Sequence, residues 1–330
     1  MAAMKLEEPF YRLPLRFDAD ALAAEVRALP AEAWVPHPQN FEGNDYVPLV
    51  TPSGMITNGF AGPMAATKFL EMCPYMTEVM ATLGCVWGRT RLMGLVPGAT
   101  VPPHVDTNYY WRTHVRVHIP IVTNPDVSFT CGEDTVHMAA GECWVFDTFR
   151  RHNVANNGSE KRIHLVADTI GGERLWDLVN AAKQPGMKER EPSPVARGSV
   201  KEPLRLERVN FPEIMTPWEM RCLFDELLSK APSSDLLGVV RMRLERLTDS
   251  WAAAWAEHAD DAGRAGDYRA LVASAVRDLN ALGAGQIVFS NGVPLMAVLM
   301  KAVFDNAVEN EGVRNMKANA LAAAAADQAA

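Results

Sequence analysis

Long apolar runs, basic blocks and paired cysteines are all missing from this 330-residue chain. No stretch of about eighteen uncharged apolar residues occurs, which excludes an ordinary membrane-spanning helix, so no membrane partner is expected. The net charge of −8 comes without a long basic run, so a nucleic-acid partner is not expected either. The first residues, MAAMKLEEPFYRLPLRF, have no continuous apolar core and carry acids early, and do not read as a secretory signal. The cysteines (Cys73, Cys85, Cys131, Cys143 and Cys222) are odd in number and scattered, with no Cys-x-x-Cys. That usage suits reduced thiols buried as small apolar groups in a cytoplasmic protein, not a disulfide framework.

What remains is a chain of ordinary globular composition, long enough to bury a real core. Residues 183–200, KQPGMKEREPSPVARGSV, are rich in proline and charge and read as a linker. Residues 1–182 precede it. Phe17 to Leu29 has the spacing of an amphipathic helix with Asp18 or Asp20 as N-cap, and residues 64–82 read as a helix broken at Pro74. From Gly84 onward the period changes to two, in the runs CVWGRTRLMGLV, RTHVRVHIPIV, VSFTC, TVHMA, ECWVFD and RIHLVADTI. Short strands at close spacing predict a closed or sandwiched β structure of the jelly-roll kind, with helices packed outside it. Residues 201–330 read as all-α. Thr216-Pro217-Trp218-Glu219 is a capping box, and Val240, Leu244, Leu247, Trp251 and Trp255 form one apolar helical face. Further helices are expected over Asp267–Leu282 and from Pro294 to about Val308, with a frayed alanine-rich tail. These C-terminal helices carry no cluster of His, Cys or carboxylates; packing, or pairing of two copies into a homodimer, is the role expected of them.

The chemistry concentrates between His104 and Arg162. His104 and Asp106 are two residues apart, so in extended chain they face the same way. A His-x-Asp pair alone is common. Here His152 follows the run ECWVFD, and two imidazoles with one carboxylate are the ligand set that holds non-haem Fe(II) and leaves coordination positions open. Arg162 lies ten residues beyond His152 on an otherwise core-like strand. A desolvated guanidinium needs an anion. A dicarboxylate cosubstrate gripped bidentately is one account; a structural salt bridge to Asp168 or Asp147 is the other. Arg116 and His118 share a face in the same manner. Asp147 and Asn153 are candidates to orient the ligand imidazoles, with turn stabilisation as their alternative role.

The runs PGATVPPHVDTNYYWRTHVRVHIPIV and AGECWVFDTFRRHNVANNGSEKRIHLVADTI resemble the aspartyl/asparaginyl β-hydroxylase family of Fe(II)/2-oxoglutarate dioxygenases. The shared signature is Pro-Gly ahead of the first histidine, Arg-x-His-x-Pro, Phe-Asp shortly before the second histidine, and an arginine ten residues after it. The resemblance covers residues 84–172 firmly and the N-terminal helices loosely; residues 201–330 fall outside it. It implies a double-stranded β-helix, with His104 and His152 as iron ligands, Arg162 on the distal carboxylate of 2-oxoglutarate, and Arg116 and His118 near the cosubstrate carboxylates. Asp106 stands where the vertebrate enzyme lacks a triad carboxylate, so the chain resembles the bacterial branch with a complete triad. Met93 stands where the vertebrate enzyme has a serine that touches 2-oxoglutarate.

The expected function is hydroxylation of an amino acid or amino-acid residue, a small molecule or part of a peptide, using Fe(II), 2-oxoglutarate and O2 and releasing succinate and CO2. The alternative is a non-catalytic metal- or 2-oxoglutarate-binding jelly roll, a sensor or interaction protein. Tyr109, Tyr110, Trp111 and Arg112 follow the first ligands closely, in a segment expected to be a loop at the barrel mouth. Arg112 and His164 are the residues expected to contact the substrate, with Tyr109 or Tyr110 walling it in.

Overall fold

A computed structural model describes residues 6–39, 41–200 and 202–309. The last thirteen residues, expected to fray, lie outside the described ones. The chain forms two compact units, one holding residues up to Asp106 and Thr113–Arg208, the other Thr107–Arg112 and the residues from Val209 onward.

The first unit opens with strand β1 (Phe10–Arg16) and helix α1 (Ala19–Ala28), followed by β2 (Asn44–Pro52) and α2 (Pro74–Thr82). Then come β3 (Val86–Leu95), β4 (Thr100–His104), β5 (Val115–Val122), β6 (Val127–Cys131), β7 (Asp134–Val136), β8 (Glu142–Phe146), β9 (His152–Asn156), β10 (Arg162–Gly171) and helix α3 (Glu173–Ala182). Two sheets result. The larger is ordered β1-β8-β5-β10-β3-β2, and the smaller β4-β9-β6-β7. Together with the helices outside them, they make the jelly-roll, double-stranded β-helix barrel that the period-two runs and the resemblance predict.

Alternation along the strands sorts two environments. Val115, Val117, Ile119 and Ile121 of β5, Leu165 and Ala167 of β10, and Cys143 and Val145 of β8 pack in one cluster with Leu22 and Val26 of α1 and Met76 and Val79 of α2. The opposite faces of the same strands turn into the barrel. There Phe10, Phe129 and Phe146 form a smaller apolar cluster with Val127 and Val154. The intervening residues Arg116, His118, Arg162 and His164 are nonetheless buried. One face of each strand therefore builds the core, and the other delivers polar groups to the interior.

Helix α1 starts where the sequence puts it, with the Asp18 side chain accepting from the amide of Ala21. Residues 64–82 differ from the single broken helix expected. Met64–Ala66 extends along β2, Thr67 caps a four-residue helical turn, and α2 begins at Pro74, whose fixed φ suits a first helical position. The linker also differs. Ser193 and Pro194 run parallel to β1, and Arg205 and Leu206 parallel to β3, so the segment closes sheet edges rather than spanning open solvent. The unit boundary accordingly falls after Arg208, not at 182, and residues 107–112 join the other unit. All five cysteines are free, and all but Cys222 are buried.

The second unit is helical: α4 (Pro217–Lys230), α5 (Asp235–His258), α6 (Ala265–Leu282) and α7 (Leu295–Ala302). The Thr216 side chain caps α4 by accepting from the amide of Glu219 at 3.1 Å. Gly283, left-handed at φ 79°, stops α6. Trp251 is fully buried, packs on Tyr268 with ring centroids 4.7 Å apart, and donates from its indole to the Met215 carbonyl. Helix α7 ends earlier than expected, at Ala302, and a short 3-10 turn follows. No helix among the described residues is long and apolar enough to cross a membrane.

Gly141 provides a test of the barrel. Its φ is +80°, and a Cβ there would stand 2.3 Å from the Phe17 carbonyl oxygen. Gly141→Ala is expected to lower the unfolding free energy by more than about 1 kcal/mol, read as a lower urea midpoint at unchanged slope.

Candidate active site

Strands β4 and β9 pair so that His152 lies opposite His104. The two rings have centroids 4.2 Å apart. Asp106 follows the end of β4 and is tied down by its amide, which donates to the Thr148 carbonyl at 3.0 Å. One ligand atom from each of His104, Asp106 and His152 lies within 4.8 Å of the others.

Each imidazole is fixed through its far nitrogen. Nδ1 of His104 is 2.8 Å from the Pro102 carbonyl, and Nδ1 of His152 is 2.9 Å from the Arg150 carbonyl. A carbonyl only accepts, so each Nδ1 carries the proton and each Nε2 keeps a free lone pair. The orienting groups are thus backbone carbonyls and not the side chains of Asp147 and Asn153. Asp147 closes the β8–β9 turn instead, accepting from the Phe149 amide and from Arg150 Nε, while Asn153 sits in register opposite Thr130. Burial holds His152 down to about 4, against an upward pull from Asp106, so the ring is neutral at physiological pH. Burial alone would raise the Asp106 carboxyl; the charge of Arg116 foremost outweighs it and holds the group below the usual range. Two imidazoles with their Nε2 lone pairs free and a carboxylate are the donor set that suits Fe(II).

Arg116 is committed to carboxylates. Its Nη1 donates to Asp106 at 3.0 Å and its Nε to Asp168 at 2.9 Å. It orients the triad carboxylate, where the resemblance would have it near the cosubstrate. Deeper in the barrel the balance reverses. Arg162, 3% exposed, donates from Nη2 to Nδ1 of His164 at 2.9 Å, and its Nε has no partner. Both salt bridges weighed for it are absent, because Asp168 pairs with Arg116 and Arg89, and Asp147 pairs with Arg150. Burial alone draws the Arg162 guanidinium down to about 9. Both ring nitrogens of His118 and Nε2 of His164 are also buried without partners. Burial, then the charge of Arg162, pushes both imidazoles well below their usual value, so both are neutral. Phe129 and Phe146 meet the His118 ring edge-on at 5.2 and 5.1 Å. A buried guanidinium without a counter-ion, beside unsatisfied imidazole nitrogens, fits a small anion rich in oxygen acceptors.

The proposed substrate residues divide. His164 lies beside Arg162 and serves it as an acceptor. Tyr109, Tyr110 and Arg112 form a short 3-10 turn that clusters with the helical unit. Tyr109 and Tyr110 are fully buried there. The Tyr109 hydroxyl donates to Glu219 at 2.6 Å, and the Arg112 guanidinium pairs with the same carboxylate at 3.0 Å. A substrate carboxylate at Arg112 has to compete with Glu219. Arg89 and Arg91, which from the sequence could compensate for the contact missing at Met93 or equally form a solvated strand face, are both buried on β3; His37 and Asn58 carry no signal in the sequence. The signal available for the arginines was two cations at i and i+2 in a strand of otherwise core-like residues.

Residues 55–171 match the model of the family Aspartyl/Asparaginyl beta-hydroxylase. Solved structures similar to the chain include a 2OG-Fe(II) oxygenase family oxidoreductase from Burkholderia pseudomallei (13% identity, 47% of this chain and 80% of that one, TM-score 0.35). A Pseudomonas putida prolyl-4-hydroxylase is similar at 18% identity, over 49% of this chain and 92% of that one, with a TM-score of 0.35. HygX from Streptomyces hygroscopicus, solved with nickel and 2-oxoglutarate bound, is similar at 10% identity, over 50% and 83%, with a TM-score of 0.36. The residues matched by the family model include His104, Asp106, His152 and Arg162. That family is the one the sequence resembles, and the chain is similar to it over this segment.

The metal cradle yields a prediction that does not depend on turnover. His152→Ala and His104→Ala should each weaken Ni(II) binding, measured by calorimetry, by more than about 100-fold, beyond the loss expected from removing an orienting partner alone. Wild-type affinity in either variant would place the metal elsewhere.

Proposed function

We propose that this chain hydroxylates an amino acid or an amino-acid residue, free or within a peptide. The observation that carries the reading is the pairing, in one barrel, of a three-residue metal cradle with a buried arginine that has no counter-ion. A purely structural metal site has no use for the second feature.

His104, Asp106 and His152 would hold the iron, and Arg162 would hold the distal carboxylate of 2-oxoglutarate. When bound, Fe(II) and 2-oxoglutarate supply the oxidising power that places one oxygen atom of O2 into a C–H bond, with succinate and CO2 as co-products. The protein supplies placement. The carbonyls of Pro102 and Arg150 keep the two Nε2 lone pairs pointed at one spot, and Arg116 keeps the Asp106 carboxylate ionised and aimed. His118, whose two ring nitrogens have no partner, and His164 through its unpartnered Nε2 would each offer an N–H donor to a cosubstrate oxygen without adding charge. Phe129 and Phe146 line the same recess and exclude water, which strengthens each of those contacts.

The direct test incubates the protein with Fe(II), 2-oxoglutarate and O2 against a panel of amino acids and short peptides. Succinate release matched by a mass gain of one oxygen in one panel member is expected. If no panel member gains oxygen and 2-oxoglutarate is bound but not consumed, the non-catalytic sensor is the correct reading. Arg162→Lys, which keeps the charge but loses the fork, should raise the KM for 2-oxoglutarate roughly 10- to 100-fold, the worth of a charge-assisted hydrogen bond. An unchanged KM would remove Arg162 from the cosubstrate site.

A further inference from the structure

One more buried cation in the barrel unit has no carboxylate of its own. Arg91 on β3 is 5% exposed. Its Nη1 donates to the Asn58 side chain at 2.6 Å, and its Nε has no partner. Arg89, two residues earlier and therefore on the same face, donates to the Asn58 carbonyl at 3.0 Å and stands 3.4 Å from Asp168. The Arg91 guanidinium lies over the Tyr46 ring, 5.8 Å from its centroid. His37 feels both arginines; burial first, then Arg91 and Arg89, brings its ring to about 4, so it is neutral and adds no charge.

The charges do not balance. Arg89 and Arg116 pair with Asp168 and Asp106, whereas among the described residues neither Arg91 nor Arg162 makes an ion pair. Two positive charges are left over. Iron(II) and the 2-oxoglutarate dianion cancel each other, so the excess remains with both in place. Nor can the cosubstrate serve both unpaired arginines. Arg162 is in register with Leu95 and Arg91 with Val166, so four residues of β3, roughly 13 Å of strand, separate the two levels. A five-carbon dicarboxylate held at Arg162 by one end and at the metal by the other leaves Arg91 without an anion.

We infer that Arg91, backed by Arg89 and Asn58, is an anion-recognition element for the substrate, which enters this site carrying a carboxylate or a comparable oxyanion. The word substrate rests on the oxygenase reading above; the anion site does not. Arg91 presents Nε and a second terminal nitrogen to the incoming anion, while Asn58 holds the remaining one. The Tyr46 ring fixes the guanidinium plane.

The test is thermal unfolding of the full chain loaded with Ni(II) and saturating 2-oxoglutarate, at constant ionic strength. Acetate and acetamide serve as probes, alike in shape but differing in charge. Acetate is expected to raise Tm and acetamide not to. In Arg91→Met the acetate increment should fall at least threefold, while the Tm without acetate stays equal to or above wild type, because an unneutralised buried charge has been removed. The inference is overturned by an acetate increment that is absent or survives in Arg91→Met. It is equally overturned by a lower starting Tm in that variant, which would make Arg91 a structural group. Failure of 2-oxoglutarate itself to raise the Tm of the Ni(II)-loaded protein would count against the oxygenase reading. An Arg91-dependent acetate response would still stand in that case.

Discussion

The barrel is organised around cations that its own carboxylates do not neutralise. Transferring a guanidinium from water to a protein interior costs several kcal/mol unless an anion accompanies it. The strands nonetheless place Arg162 and Arg91 inside, while Asp106 and Asp168 are taken up by Arg116 and Arg89. A fold that tolerates this must be held by other means. The apolar layer beneath α1 and α2 supplies them, since the same strands that carry the arginines inward carry Val117, Ile119, Leu165 and Ala167 outward to that layer. The period of two thus does double service, giving the sheet its stability on one face and its affinity for anions on the other.

The metal cradle depends on the same register. Pairing of β4 with β9 sets His104 opposite His152, and a slip of one residue would send one imidazole to the wrong face. Backbone carbonyls two residues before each histidine fix the tautomer, so the cradle depends on strand geometry more than on any neighbouring side chain. Arg116 links the two halves of the interior, because one guanidinium holds the triad carboxylate and the Asp168 carboxylate that also faces Arg89.

Much of this was legible in the sequence. The period-two runs marked β3, β5, β6, β8 and β10, and the resemblance to the β-hydroxylase family rested on the segment that the family model matches. The spacing from His152 to Arg162 singled out the arginine, and the structure then shows it without either of the salt bridges that would have explained it away. Other features could not be read. The strand character of β9 was hidden because HNVAN is short and mostly polar, and a polar strand that lines a site has no apolar alternation to betray it. The linker looked open because proline and charge suit an edge strand as well as a free segment. The 3-10 turn from Tyr109 to Arg112 was hidden too. Its contacts with Glu219 join residues 110 positions apart, which no local pattern encodes.

The central claim is that one ligand is held between the metal cradle and the buried Arg162. It is tested most directly by anaerobic titration of the Fe(II)-loaded protein with 2-oxoglutarate, followed by visible absorption. A keto acid chelating iron through its carboxylate and keto oxygens gives a charge-transfer band that succinate, lacking the keto group, does not give. The account predicts such a band saturating at one equivalent, with a weaker apparent affinity when Arg162 is replaced by lysine. Absence of the band in protein that has bound iron, or a band whose affinity ignores Arg162, would contradict it.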